Sequence, residues 1–149
     1  MERIAVFVND AAHARHLLQP MLGAGGPTHW IMVACPPRLT RHVGRWVSQP
    51  ARRAWRERWG EQLLGQLTPD LAVRGESQVE PLVAQRPLVE VSARLVARFP
   101  GLRLLDARRP RLGKPDEPLT LAQPPGGTSR WAGTVAAAGG LAAVLALAD

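Results

Sequence analysis

Between Trp30 and Cys35 the chain is apolar without any alternation. A strand with one wet face alternates polar and apolar residues. An unbroken apolar run suits a strand buried on both faces of a parallel sheet. Pro36-Pro37 stops this one. A second short apolar run, Ile4 to Val8, ends at Asn9-Asp10. That reads as a strand followed by a helix cap. Strands of this kind need crossovers, and the segments around them carry helical spacing.

Ala14, Leu17, Leu18 and Met21 fall on one helical face, and Pro20 is expected to kink or end that helix. Leu39, Val43, Trp46 and Val47 repeat in the same way. After Pro50 the pattern continues through Ala51, Trp55, Trp59, Leu63 and Leu67, as one long kinked helix or two helices. Thr68-Pro69-Asp70 and Arg74 to Ser77 read as turns. Gln78 to Val83 is a weak strand, and its Pro81, which has no N–H to donate, belongs at a sheet edge. Pro87 suits a helix start, and Leu88, Val91, Leu95 and Phe99 line one face before Pro100-Gly101 ends it. Leu102 to Asp106 is the next strand, and Leu119 to Leu121 reads as a short fifth.

The order β-α-β-α-β-α-β predicts an α/β domain, a three-layer Rossmann-like parallel sheet wound by right-handed crossovers. Ligands of such sheets bind at the carboxyl ends of the strands, near the switch in strand order. Those ends carry Asn9-Asp10, Cys35-Pro36-Pro37 and the stretch from Asp106 to Arg111. The chain of 149 residues is long enough for one such core without staples. Its single cysteine excludes a disulfide framework or a cysteine-cluster metal site, and its four scattered histidines exclude a zinc finger.

Three stretches of this layout resemble the universal stress protein family. Ile4 to Asp10 with the helix after it is similar to that family's first strand, acidic residue and first helix. Val79 to Val83, Pro87 and the helix to Phe99 are similar to its third strand and helix. Leu102 to Asp106 with Arg111 and Gly113 is similar to its fourth strand and the loop beyond. The resemblance covers about residues 3–113. It implies strand order 3-2-1-4-5, a homodimer, and ATP or AMP as ligand near Asp10, Arg108, Arg111 and Gly113. Family members that bind ATP wrap its phosphates with a spaced glycine series after the fourth strand. The corresponding stretch here, Ala107 to Pro115, holds one glycine. Arg108, Arg109, Arg111 and Lys114 can replace that loop as a phosphate-binding cluster, or form a basic linker beside a membrane.

Net charge is +7, and eighteen of the nineteen basic residues are arginine. Seven arginines and three tryptophans lie between Arg38 and Trp59. Arg38, Arg41 and Arg45 share one helical face, and Arg52 and Arg56 another. Such a surface suits nucleic acid or an anionic membrane. It equally suits a solvated helix face, with Trp46, Trp55 and Trp59 anchoring the core. Asp10, His13 and His16 are spaced for a shared face, but a metal would need further ligands. Asp10 has the simpler role of capping a helix, and Cys35 that of a small core residue. The sequence contains no Walker loop, GxGxxG series, GxSxG elbow or HExxH pair.

Residues 107–129 are rich in proline and glycine and read as a tether. Trp131 to Ala148 follow without a charge, preceded by Arg130. They read as an apolar helix, either a membrane anchor or a buried core helix. The start of the chain has no signal-peptide core, which implies a cytoplasmic location. The expected protein is therefore a domain over 1–106, a linker over 107–129 and an apolar helix over 130–149. As a whole it reads as a non-catalytic, universal-stress-like binding or signalling module, held at the cytoplasmic face of the inner membrane if the tail inserts. The alternatives are a nucleic-acid-binding protein using Arg38 to Arg58, and an adenine-nucleotide sensor with a degenerate site.

Overall fold

The computed structural model describes residues 1–24, 26–38, 45–72, 77–111, 116–121 and 131–133. The elements in chain order are β1 (Glu2–Val8), α1 (Ala11–Ala24), β2 (Thr28–Ala34), α2 (Gln49–Ala72), β3 (Gln78–Val83), α3 (Leu88–Arg98), β4 (Arg103–Asp106) and β5 (Trp131–Gly133). They form one sheet in the order β3-β2-β1-β4-β5. The first four strands are parallel, and β5 pairs antiparallel to β4. This is the expected α/β layout, and Pro81 lies on the edge strand β3, as its missing N–H requires.

The two apolar runs occupy the centre of the sheet. Ile4 to Val8 and Trp30 to Ala34 are buried throughout, because helices cover both faces. Ile4, Val6, Val8, Trp30 and Met32 pack with Ala14 and Leu18 of α1 and Leu63, Leu64, Leu67 and Leu71 of α2. Ala5, Phe7, Ile31 and Val33 point the other way, against Leu88, Val91, Leu95 and Val96 of α3. Right-handed crossovers account for this division. The chain steps from β1 to β2 to β3 in one direction, so α1 and α2 share a face. It then returns past β1 to β4, which places α3 on the opposite face.

Several local expectations are overturned. Thr68-Pro69-Asp70 is not a turn; α2 continues through it. Leu67 and Leu71 extend its buried stripe across the proline, and Asp70 is held by Arg15 of α1 at 2.6 Å. Packing outweighs the hydrogen bond lost at Pro69. Pro20 does not end α1, which runs on to Ala24. Pro50 lies in the first turn of α2, where a missing N–H costs nothing, so no single helix runs through it from Leu39. Trp46 does not anchor the core. It precedes α2, so the helical spacing does not reach it, and it is 84% exposed. Trp59 does pack on the core.

The fifth strand is not Leu119 to Leu121, which bends; Leu119 instead plugs the core on the α3 side. Nor does a helix begin at Trp131. Trp131–Gly133 pair with β4, whose open edge supplies backbone partners, and the Trp131 ring lies over the Arg103 guanidinium at 3.9 Å. The rest of the expected apolar helix, 134–149, lies outside the described residues, as do Leu39 to Gly44 and most of the Arg74 to Ser77 turn. Among the described residues no helix is long and apolar enough to cross a membrane.

One close approach fixes α2 on the sheet. A Cβ added at Gly60 would fall among the methyls of Val83, whereas one at Gly65 would meet nothing within 4 Å. Gly65→Ala should therefore stabilise the protein by about 0.5–1 kcal/mol through helix propensity. Gly60→Ala gains the same propensity but should destabilise by about 1–3 kcal/mol, because the β-branched Val83 cannot swing aside. Val83→Ala in the same chain should recover part of that loss. Urea midpoints of the four chains check this; equal stability of the two alanine variants would remove the close-packing account.

Candidate anion-binding cleft

The carboxyl ends of the parallel strands open into a cleft of about 1160 Å³. Beneath it the sheet is extended one step beyond the strands, and of the residues that do this Cys35 lines the cleft. Cys35 N–H donates to the Val8 carbonyl (2.8 Å), Ala84 N–H to Ala34 (2.9 Å) and Ala107 N–H to Phe7 (2.9 Å). Beyond β1, the Asn9 side chain pairs with the backbone of Arg109. Its Oδ1 accepts from the Arg109 N–H at 2.6 Å, and its Nδ2 donates to the Arg109 carbonyl at 3.4 Å. The exits of β1 and β4 are thereby tied together. Helix α2 forms one wall, the β3–α3 loop another, and Asp116 to Pro118 a third.

Arginines dominate the lining. Among the described residues it contains Arg38, Arg52, Arg53, Arg56, Arg86, Arg108 and Arg111, against the carboxylates Asp116 and Glu117. Gln49, Arg52, Arg53 and Arg56 all reach the cleft because they recur at i, i+3, i+4 and i+7 on α2.

These arginines differ in what holds them. Arg108 is buried, and Asp106 grips it twice, Nε to Oδ1 at 2.9 Å and Nη2 to Oδ2 at 3.0 Å. Burial pulls its guanidinium down, but the hydrogen bonds and charge of Asp106 outweigh this and leave it above its usual value. Arg38 pairs with Glu117 at 2.9 Å, and Arg86 lies 3.9 Å from Glu90. Arg56 has no such carboxylate among the described residues. Its Nε and Nη2 donate to the Ala84 carbonyl at 3.1 and 2.7 Å. Burial lowers its guanidinium from its usual value, with Cys35 and Glu117 opposing. Arg53 and Arg111 form no ion pair among the described residues.

Cys35 also borders the cleft, and burial pushes its thiol up to about 12, against the weaker opposing pull of Arg108. A neutral thiol is a poor nucleophile.

The sequence-based candidates are partly brought together. Arg38, Arg52, Arg56, Arg108 and Arg111 line one cleft although the chain separates them widely. Arg45 is exposed and outside it. Arg41 and Gly113 lie outside the described residues. Asp10 is not part of the lining. Its Oδ1 accepts from the His13 N–H at 2.9 Å and caps α1, while Oδ2 lies 3.7 Å from Arg109. Among the described residues no group of three histidine, cysteine or acidic side chains could hold a metal. The sequence reading missed Arg53, Arg86, Gln85 and Glu117. Arg53 was detectable from its place on the α2 stripe; Glu117 was not, since nothing local links it to Arg38. Comparison with known proteins finds no matching family model, curated protein or solved structure.

Two measurements follow from this geometry. Asp106→Asn leaves the Arg108 guanidinium buried without its counter-charge and should destabilise by about 3–5 kcal/mol in denaturant melts. A loss under about 1 kcal/mol would show that the pair contributes little. The Cys35 thiol ionises near 9.0 in the unfolded chain but near 12 in the folded one. Its contribution to stability is thus complete below pH 9 and falls as pH rises towards 12, by at most about 1.4 kcal/mol per pH unit. Cys35→Ala should flatten that alkaline decline; an unchanged slope would contradict the buried thiol.

Proposed function

We propose that this protein is a non-catalytic binding module whose arginine cleft takes a phosphorylated small molecule. The observation that carries this reading is Arg56, half-buried with the Ala84 carbonyl as its hydrogen-bond partner among the described residues, in a cleft that Arg53 and Arg111 also line. A guanidinium drawn partly out of water without an ion-pair partner among the described residues, as Arg56 is, favours an incoming anion, and the exposed Arg53 and Arg111 add charge to the same cleft. Phosphate suits them best, because its oxygens accept from the guanidinium fork in pairs. The position at the strand ends is where open α/β sheets hold ligands. Side chains here take the part that a glycine-rich loop plays elsewhere. The resemblance to universal stress proteins makes an adenine nucleotide the first ligand to try.

A second reading is favoured by Trp46. It is 84% exposed, follows the exposed Arg45, and precedes the helix that carries the cleft arginines. An exposed tryptophan beside arginines can stack an unpaired base.

Titration calorimetry with ATP, AMP and tripolyphosphate tests the first reading. Binding is expected, and Arg53→Ala should weaken it about 5–10-fold at unchanged thermal stability. No heat with millimolar ligand would sink it. A single-stranded oligonucleotide tests the second. Affinity that falls steeply with salt and is lost in Trp46→Ala would support nucleic acid.

A further inference from the structure

The wall at Asp116 to Pro118 brings one carboxylate into the arginine cleft with two partners already in place. Glu117 Oε1 accepts from Arg38 Nη2 at 2.9 Å and from the Leu88 N–H at 2.9 Å. These donors come from separate parts of the chain: the segment after β2 and the first residue of α3. Together they form a guanidinium fork beside a helix start, a combination that binds carboxylate and phosphate alike. Pro87, the residue before that helix, makes no side-chain cap of its own, so the capping oxygen comes from Glu117. The Glu117 side chain is about 30% exposed and borders the cleft, so the contact is reachable from the ligand side. Glu117 also acts on the α2 wall of the cleft, since its charge opposes the lowering of the Arg56 guanidinium by burial.

We propose that Glu117 is an internal ligand, filling the subsite of Arg38 and the Leu88 N–H that a terminal phosphate group of the bound molecule takes over. This rests on the phosphate-binding reading of the cleft. The inner phosphates then lie against Arg53 and Arg56, and the terminal one displaces the Glu117 carboxylate. No bond is made or broken; one anion replaces another on the same donors. The apparent affinity of the protein is reduced by the fraction of time the subsite is filled from within.

The control for charge alone is Asp116, which lines the same cleft without an ion pair among the described residues. Glu117→Gln removes the charge but keeps an oxygen for the Leu88 N–H, and Asp116→Asn removes an equal charge next to it. Calorimetry of the full chain with tripolyphosphate should show Glu117→Gln binding about tenfold tighter than wild type, and Asp116→Asn at most about twofold tighter. Equal gains in the two variants would overturn the internal ligand and leave the phosphate cleft standing. No tripolyphosphate binding by wild type or either variant would overturn both. Hydrogen exchange on wild type gives a second reading that needs no folded variant. Tripolyphosphate should speed amide exchange over 116–121 while slowing it at the start of α2; slower exchange over 116–121 would also overturn the proposal.

Discussion

Strand β1 has neighbours on both edges and helices on both faces, and every residue from Ile4 to Val8 is buried. A strand so enclosed can release its chain only at its ends. Connections from β1 lead outward to β2 and β3, and the return to β4 passes to the other side. The carboxyl end of the sheet, where these two directions part, is where open α/β sheets leave a crevice. The cleft is therefore a product of strand order, present before any side chain is chosen to line it. Part of its polar lining arises at the first positions outside the core: Asn9, Cys35, Gln85 and Arg108.

Charge in that cleft is divided by depth. At the base, Arg108 and Asp106 are taken out of water together, and their mutual grip offsets the cost. Arg38 and Arg86 face carboxylates at the margins. Arg53, Arg56 and Arg111 are the group without carboxylates among the described residues. A net charge of +7 on the chain adds a long-range attraction for anions that salt weakens. The deep pair shapes the floor, and the unpaired guanidinium groups give the cleft its chemical preference.

The parallel sheet was legible because Trp30 to Ala34 lacks alternation and Pro81 excludes a central position for β3. Both signals are local, as is the apolar stripe of α3. The errors arose where distant parts of the chain decide. Pro69 sits inside a helix because Leu67 and Leu71 gain burial against the sheet. Trp131 joins a strand because β4 has an open edge, which no window around Trp131 can reveal. The site followed the same rule. The arginines of α2 were visible as a stripe, whereas the pairing of Glu117 with Arg38 spans 79 positions and exists only in the fold.

The approach of Gly60 to Val83 has a bearing on the cleft one helical turn away. Arg56 and Gly60 both meet the end of β3, the first through the Ala84 carbonyl and the second through Val83. The α2 wall is therefore seated by carbon packing, which dissolved ions barely affect. The wall at Asp116 to Pro118 is joined to the exposed Arg38 through the Glu117 carboxylate, a contact which they loosen. The two contacts therefore answer differently to added salt: the seating of α2 on Val83 is indifferent to it, and the pairing of Glu117 with Arg38 weakens.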